Sequence, residues 1–176
     1  SNGTNSSMTY YIVDDEDKPV ISFDTDGSNS VVSGDENSVP NPSITIVQDR
    51  RSIYPSTINY SSDPSNGSAS ADDYTLENGT AEIAALSTST TIPLEVLSET
   101  KYEADETVVI NLDASSVSSN TTASGSNMSH TYQINNDDTK PTLNFSAVNI
   151  GGGSASASSP FEEDGSAIIT VSLSAI

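Results

Sequence analysis

Thr131-Tyr132-Gln133-Ile134-Asn135-Asn136-Asp137-Asp138-Thr139-Lys140-Pro141 repeats, at a constant offset of 122 residues, the earlier stretch Thr9-Tyr10-Tyr11-Ile12-Val13-Asp14-Asp15-Glu16-Asp17-Lys18-Pro19. In both copies an alternating segment that reads as a β-strand runs into an acidic cluster and then into Lys-Pro. A second strand follows each, at Val20 to Phe23 and at Thr142 to Phe145. A fixed offset of this size marks a domain repeat. It divides the 176 residues into the last strand and linker of a preceding unit (1–17), one complete unit (18–139), and the first two strands of a following unit (140–176).

About 120 residues can bury a core of their own, whereas two strands cannot hide a face. The following unit's second strand is expected at 167–173, by alignment with 43–48, beyond a loop opened by Gly151-Gly152-Gly153. No Lys-Ser/Thr follows that glycine run, so it reads as a hairpin loop and not as a phosphate cradle. Ending inside a unit, the chain reads as a window on a longer array whose partners are neighbouring repeats. The competing expectations are homotypic filament contacts or donor-strand exchange, in which a neighbouring chain completes the partial unit.

Period-2 alternation governs the complete unit. Thr91-Ile92-Pro93-Leu94-Glu95-Val96 sets Ile92, Leu94 and Val96 on one face, and Thr107-Val108-Val109-Ile110-Asn111-Leu112 does the same with Val108, Ile110 and Leu112. Further strands are expected at 20–24, 43–48, 56–62, 80–85 and 129–135, bounded by turn signals such as Asp63-Pro64, Asn66-Gly67 and Asn78-Gly79. Their inward residues would be Ile21, Phe23, Ile44, Ile46, Ile58, Tyr60, Tyr132 and Ile134. No stretch holds a helical apolar period. The expected fold is all-β: an Ig-like Greek-key β-sandwich of about seven strands, repeated in tandem. Pro93 cannot donate to a ladder, which places its strand at an edge or at a bulge.

Asp and Glu number 25 against 5 Lys and Arg, for a formal charge of −20. Such a surface repels nucleic acid and anionic membranes. No segment approaches the roughly 20 apolar residues of a membrane-spanning helix, so direct membrane insertion is not expected. With no cysteine, neither disulfides nor thiolate metal sites arise. Abundant Ser, Thr and Asn with little Lys suggest an extracellular or cell-surface protein.

The carboxylates fall at strand ends: Asp35-Glu36, Asp72-Asp73, Glu99 with Glu103, Asp105 and Glu106, and Asp137-Asp138. Loops of a Greek-key sandwich converge on one pole, so these groups could meet within a few ångströms. Like charges held together raise one another's pKa values and destabilise the fold unless a cation intervenes. An oxygen-only ligand set suits a hard divalent ion, and the flexible coordination of Ca²⁺ fits it better than the tight octahedron of Mg²⁺.

The segment Ile58-Asn59-Tyr60-Ser61-Ser62 followed by Gly67-Ser68-Ala69-Ser70-Ala71-Asp72-Asp73-Tyr74 resembles a motif of the Calx-β domains. Ile92-Pro93-Leu94-Glu95-Val96-Leu97 before Tyr102-Glu103-Ala104-Asp105-Glu106-Thr107, and the closing Ile134-Asn135-Asn136-Asp137-Asp138, resemble that family's later motifs in the same order. Calx-β domains occur in sodium/calcium exchangers, in an integrin β subunit, and in tandem arrays of matrix and bacterial surface proteins. For this chain the resemblance implies Ca²⁺ ligands Glu36, Asp73, Glu99, Glu103, Glu106, Asp137 and Asp138. Asp14, Asp15 and Glu16 would serve the preceding repeat, and Glu162 or Glu163 the following one. The chain departs from the pattern at Ser98-Glu99, where an Asp-Asp pair is usual, and at Asn136, which replaces the first closing aspartate.

Asp105 and Asp35 read as solvent-facing. His130 stands without a partner His, Cys or nucleophile–base arrangement, and no Trp lines a sugar cleft between acidic pairs, so an enzyme is not expected. The Asn-x-Ser/Thr sequons at Asn2, Asn5, Asn59, Asn66, Asn78, Asn120, Asn127 and Asn144 are what a chain rich in these residues generates by chance. The leading expectation is a structural, calcium-stiffened repeat of an extracellular fibre or cell-adhesion protein. A calcium-sensing module of a membrane transporter or receptor, and a glycan- or surface-binding adhesin module, are the alternatives.

Overall fold

Alternation along the chain becomes pairing between layers. A computed structural model describes residues 7–25, 32–37, 40–150 and 167–174, the side chains of 146–150 and 167–169 excepted. In chain order the strands are β1 (Val20–Phe23), β2 (Ser33–Asp35), β3 (Ser43–Gln48), β4 (Ser56–Ser62), β5 (Tyr74–Thr75) and β6 (Gly79–Ile83). They continue as β7 (Ser89–Pro93), β8 (Glu95–Val96), β9 (Glu106–Asp113), β10 (Thr122–Ala123), β11 (Ser129–Asn135), β12 (Leu143–Ile150) and β13 (Ala167–Leu173), with a 3₁₀ turn at Ala114–Ser116.

Two sheets of order β10-β1-β3-β7 and β2-β11-β9-β4-β6 face each other. The pairing is antiparallel except where β10 joins β1 and β2 joins β11. The chain crosses between the layers after β1, which is how a strand of one sheet is followed by an edge strand of the other. Ile21, Phe23, Ile44, Ile46 and Ile92 of the first sheet meet Ile58, Val108, Ile110, Tyr132 and Ile134 of the second in one buried cluster. Each fully buried side chain of this kind contributes about 1.5–3 kcal/mol. Tyr60 packs at the margin, and Ala69, Ala81 and Ile83 complete the cluster. His130 is buried with its ring 5.5 Å from that of Phe23, as part of the core wall.

Two strand expectations are corrected. The run Thr91–Val96 is not one strand: β7 ends at Pro93 on the edge of its sheet, opposite Ser43, and β8 then pairs with β5 through Tyr74 and Val96. Ile92, Leu94 and Val96 keep their inward alternation while the ladder partner changes, a switch that periodicity cannot register. The second correction concerns Thr9–Val13, which forms no strand, with Tyr10, Tyr11, Ile12 and Val13 each at least 79% exposed. Its counterpart β11 has β9 and β2 on either side, whereas no described strand pairs with 9–13. A strand exists only through its ladder.

The linker enters at one end of the sandwich, where Asp49 Oδ1 accepts from Val20 N (2.7 Å) and Arg50 Nη1 donates to Asp17 O (3.4 Å). It leaves at the other end after β11. Beyond it, β12 and β13 pair antiparallel, with Leu143 opposite Leu173 and Phe145 opposite Val171, all four exposed. Residues 151–153 and 162–163, and with them Glu162 and Glu163, lie outside the described residues, as do Asn2 and Asn5.

Candidate metal centre

Strand registers assemble the exit pole. β2 runs parallel to β11 with Asp35 opposite Asn135, and Glu36 N donates to Asn135 O (3.3 Å), so Glu36 turns in beside Asp137 and Asp138. Glu106 stands opposite Ile134 in the β9–β11 ladder, which carries residues 103–106 past the closing segment. The β5–β8 ladder, extended by Leu97 N donating to Asp73 O (2.8 Å), brings Asp73 and Glu99 from the remaining loops.

Two carboxylate groups result. Glu36, Asp137 and Asp138 offer oxygens within 4.8 Å of one another, and so do Asp73, Glu103 and Glu106. Glu99 joins the first group electrostatically, being the largest charged influence on Glu36. All seven residues implied as ligands of the complete unit therefore lie at one pole. Asp14, Asp15 and Glu16 are exposed in the linker before β1, apart from this pole, and gather into no described cluster. Asp105 and Asp35 are exposed yet tied down: Asp105 Oδ1 accepts from Asn136 N (3.2 Å) and Asp35 Oδ1 from Asn135 Nδ2 (3.2 Å).

The electrostatics show which carboxylates suffer. Burial, followed by the charges of Glu99, Asp138, Asp137 and Glu103, raises the Glu36 carboxyl to about 7. Burial also leads at Glu106, where a hydrogen bond shared with Asp73 and the charges of Asp73, Glu103 and Glu36 help to raise it to about 7. Asp73 ends below the usual carboxylate range: burial pushes it up, but hydrogen bonds from Ser70 and Glu106 and the Lys101 charge outweigh it. Each group thus has one carboxyl that holds a proton up to about pH 7, Glu36 in the first and Glu106 in the second, and the second is also paired with Lys101.

The first group also leaves oxygens unmet. Glu36 is only 8% exposed, and its Oε2, with Glu99 Oε1 and Asp138 Oδ2, is buried without a hydrogen-bond partner. Buried carboxylate oxygens without donors are costly, and a hard cation is the partner they lack. The donor set therefore fits an oxygen-seeking divalent ion held by Glu36, Glu99, Asp137 and Asp138.

Neutral side chains escape a reading that counts charges. Ser98 Oγ donates to Asn37 Oδ1, and Asn37 Nδ2 donates to Asp137 Oδ2 (2.6 Å). Asn136 Oδ1 accepts from Glu103 N (3.0 Å), while its Nδ2 donates to Asp138 O (3.0 Å). The residues standing where acids are usual, Ser98 and Asn136, are struts: an aspartate at 136 could accept from Glu103 N but could not donate to Asp138. Their signal in the sequence is position alone, beside the acids.

No family model matches the chain, and no curated protein does. Among solved structures it is similar to the apo-form Calx CBD1 domain, at 16% identity and TM-score 0.57 over 69% of this chain and 100% of that one. The calcium binding domain CBD12 of CALX1.1 is similar at 20% identity and TM-score 0.57, over 72% of this chain and 50% of that one. The Calx CBD2 domain is similar at 15% identity and TM-score 0.52, over 67% of this chain and 86% of that one. The chain thus spans half the length of the CBD12 structure. At these identities the likeness establishes the fold, the β-sandwich of the Calx domains.

Proposed function

We propose that the complete unit is a calcium-binding β-sandwich whose ion stiffens the joint to the next repeat of an extracellular fibre or adhesin. The observation that carries the calcium reading is the trio of buried, donorless oxygens on Glu36, Glu99 and Asp138. Solved domains of the same fold are described as calcium binding, which supports the same ion here. Ca²⁺ when bound supplies the positive charge these oxygens lack and accepts six to eight of them at flexible geometry.

The joint reading rests on where the ligands sit. Asp137 and Asp138 follow closely on the last strand of the unit, and only Thr139-Lys140-Pro141-Thr142 separates them from β12. Pro141 biases Lys140 toward an extended backbone. An ion drawing Asp137 and Asp138 toward Glu36 would fix the exit direction of that short linker. The deciding experiment is a calcium titration followed by chelator, read by melting temperature and by small-angle scattering. A rise in melting temperature together with a narrower distribution of interunit distances supports the proposal. Unchanged stability refutes the ion, and raised stability with unchanged scattering refutes the joint.

A further inference from the structure

We propose that Lys101 is a tethered counter-ion of the acidic pole: its ammonium fills the Asp73/Glu103/Glu106 side, leaving the Glu36 side as the place where a divalent ion binds first. This rests on the calcium reading above and sharpens it to an order of filling.

Lys101 Nζ forms an ion pair with Glu103 Oε1, and Lys101 N donates to Glu99 Oε2 (2.9 Å). The residue is thereby anchored at the boundary between the two carboxylate groups, with its charged end turned to the second. After Glu103, Glu99 and then Asp73 act on that ammonium electrostatically, but only Glu103 is in contact with it. The first group is different. Glu36 is 8% exposed, and among the described residues the buried oxygens of Glu36, Glu99 and Asp138 have no hydrogen-bond donor and none of these three forms an ion pair. The pole's other cation, Lys140, lies over the Tyr102 ring at 5.9 Å, and Arg50 pairs with Asp49 at the opposite end.

An ammonium is a compact charge with three donors, so it can neutralise a carboxylate cluster without meeting the coordination demands of a metal. The Lys101 side chain is 70% exposed, and such ion pairs are weak enough for a divalent ion to displace. A second ion therefore has to compete with a charge fastened to the site, whereas the first does not. Lys101 sets how many ions the pole takes at a given calcium level.

The test is calorimetric titration of the full chain with calcium chloride at about 0.1 M salt, using wild type, Lys101→Met and Lys140→Met. Both variants remove one positive charge from the same pole, but only Lys101 touches the carboxylates. Circular dichroism checks that each variant is folded. Lys101→Met is expected to add a second bound ion, or to tighten a weaker class by about fivefold or more, which corresponds to about 1 kcal/mol. Lys140→Met is expected to change binding by less than about twofold, as an exposed charge away from the ligands should. A Lys101→Met titration that superimposes on wild type overturns the counter-ion role and leaves the calcium reading standing. An equal gain in Lys140→Met also overturns it, because the effect is then one of net charge. Absence of calcium binding in all three refutes the calcium reading and this inference with it.

Discussion

Calcium binding should expel a proton from Glu36, and the yield can be worked from its carboxyl, raised from 4.5 to about 7 by burial and by its acidic neighbours. The ion requires the carboxylate, so every protonated Glu36 must release its proton on binding. A group titrating near 7 is about nine-tenths protonated at pH 6, half protonated at pH 7 and one-tenth protonated at pH 8. Proton release per ion should follow the same values, and affinity should weaken about tenfold from pH 8 to pH 6. The assay is calorimetry in pairs of buffers with different ionisation heats, whose enthalpy difference gives the proton count directly. An ordinary glutamate would release almost nothing anywhere in this range. An enthalpy independent of buffer at pH 6, or equal affinity at pH 6 and pH 8, refutes the claim that Glu36 is buried among anions. Glu36→Gln provides the internal control: any residual calcium binding by the variant should release little or no proton.

The same carboxyl fixes the stability profile without calcium. Because the folded values of Glu36 and Glu106 are raised to about 7, the stability they allow is complete below the unfolded value of 4.5 and is lost as pH climbs to about 7. For Glu36 the loss is about 3 kcal/mol, so chelated protein should resist urea best near pH 4.5–5, and a profile rising toward pH 8 would contradict this. Glu36→Gln should then stabilise the chelated protein by about 2–3 kcal/mol at pH 8 while weakening calcium binding at least about tenfold; a less stable variant would sink the argument. Gly67→Ala should destabilise the sandwich by about 1–3 kcal/mol in urea unfolding, because its Cβ would lie 2.6 Å from Thr107 O at the start of β9. Reversing both exit charges, Asp137→Lys with Asp138→Lys, should make scattering in calcium match that of the wild type in chelator, and a wild-type response to calcium in the double variant would remove these residues from the joint.

The sandwich was legible because its strands are half-buried. Val108, Ile110 and Leu112 alternate with residues on the other face of β9, and burial follows that alternation along β1, β11 and the first half of β4 as well. What escaped is structure whose cause lies elsewhere in the chain. β2, β5, β8 and β10 are two or three residues long and exist because a neighbouring backbone offers a ladder, as β11 does for β2. The opposite case is Thr9–Val13, whose pattern matches β11 but which has no described ladder partner, and which forms no strand and stays exposed. Pattern determines which face a strand would bury, while partners determine whether the strand forms.

The acidic pole was legible to a different depth. Carboxylates announce themselves by charge, so the acidic groups at the strand ends could be located and a shared pole expected from the topology, while the choice of seven among them came from the resemblance. The division of labour among them could not be read that way, because it depends on groups with no charge or the opposite one. Asn136 looks like a weakened ligand when residues are compared by charge, yet its amide holds Glu103 and Asp138 together by donating and accepting at once. Lys101 looks like a solvated residue between two glutamates, yet it divides one acidic surface into a filled half and an open half. Neutral and basic substitutions in such a loop therefore do more than dilute a cation site. By meeting some oxygens with N–H groups and leaving others bare, they choose which carboxylates are left for an ion.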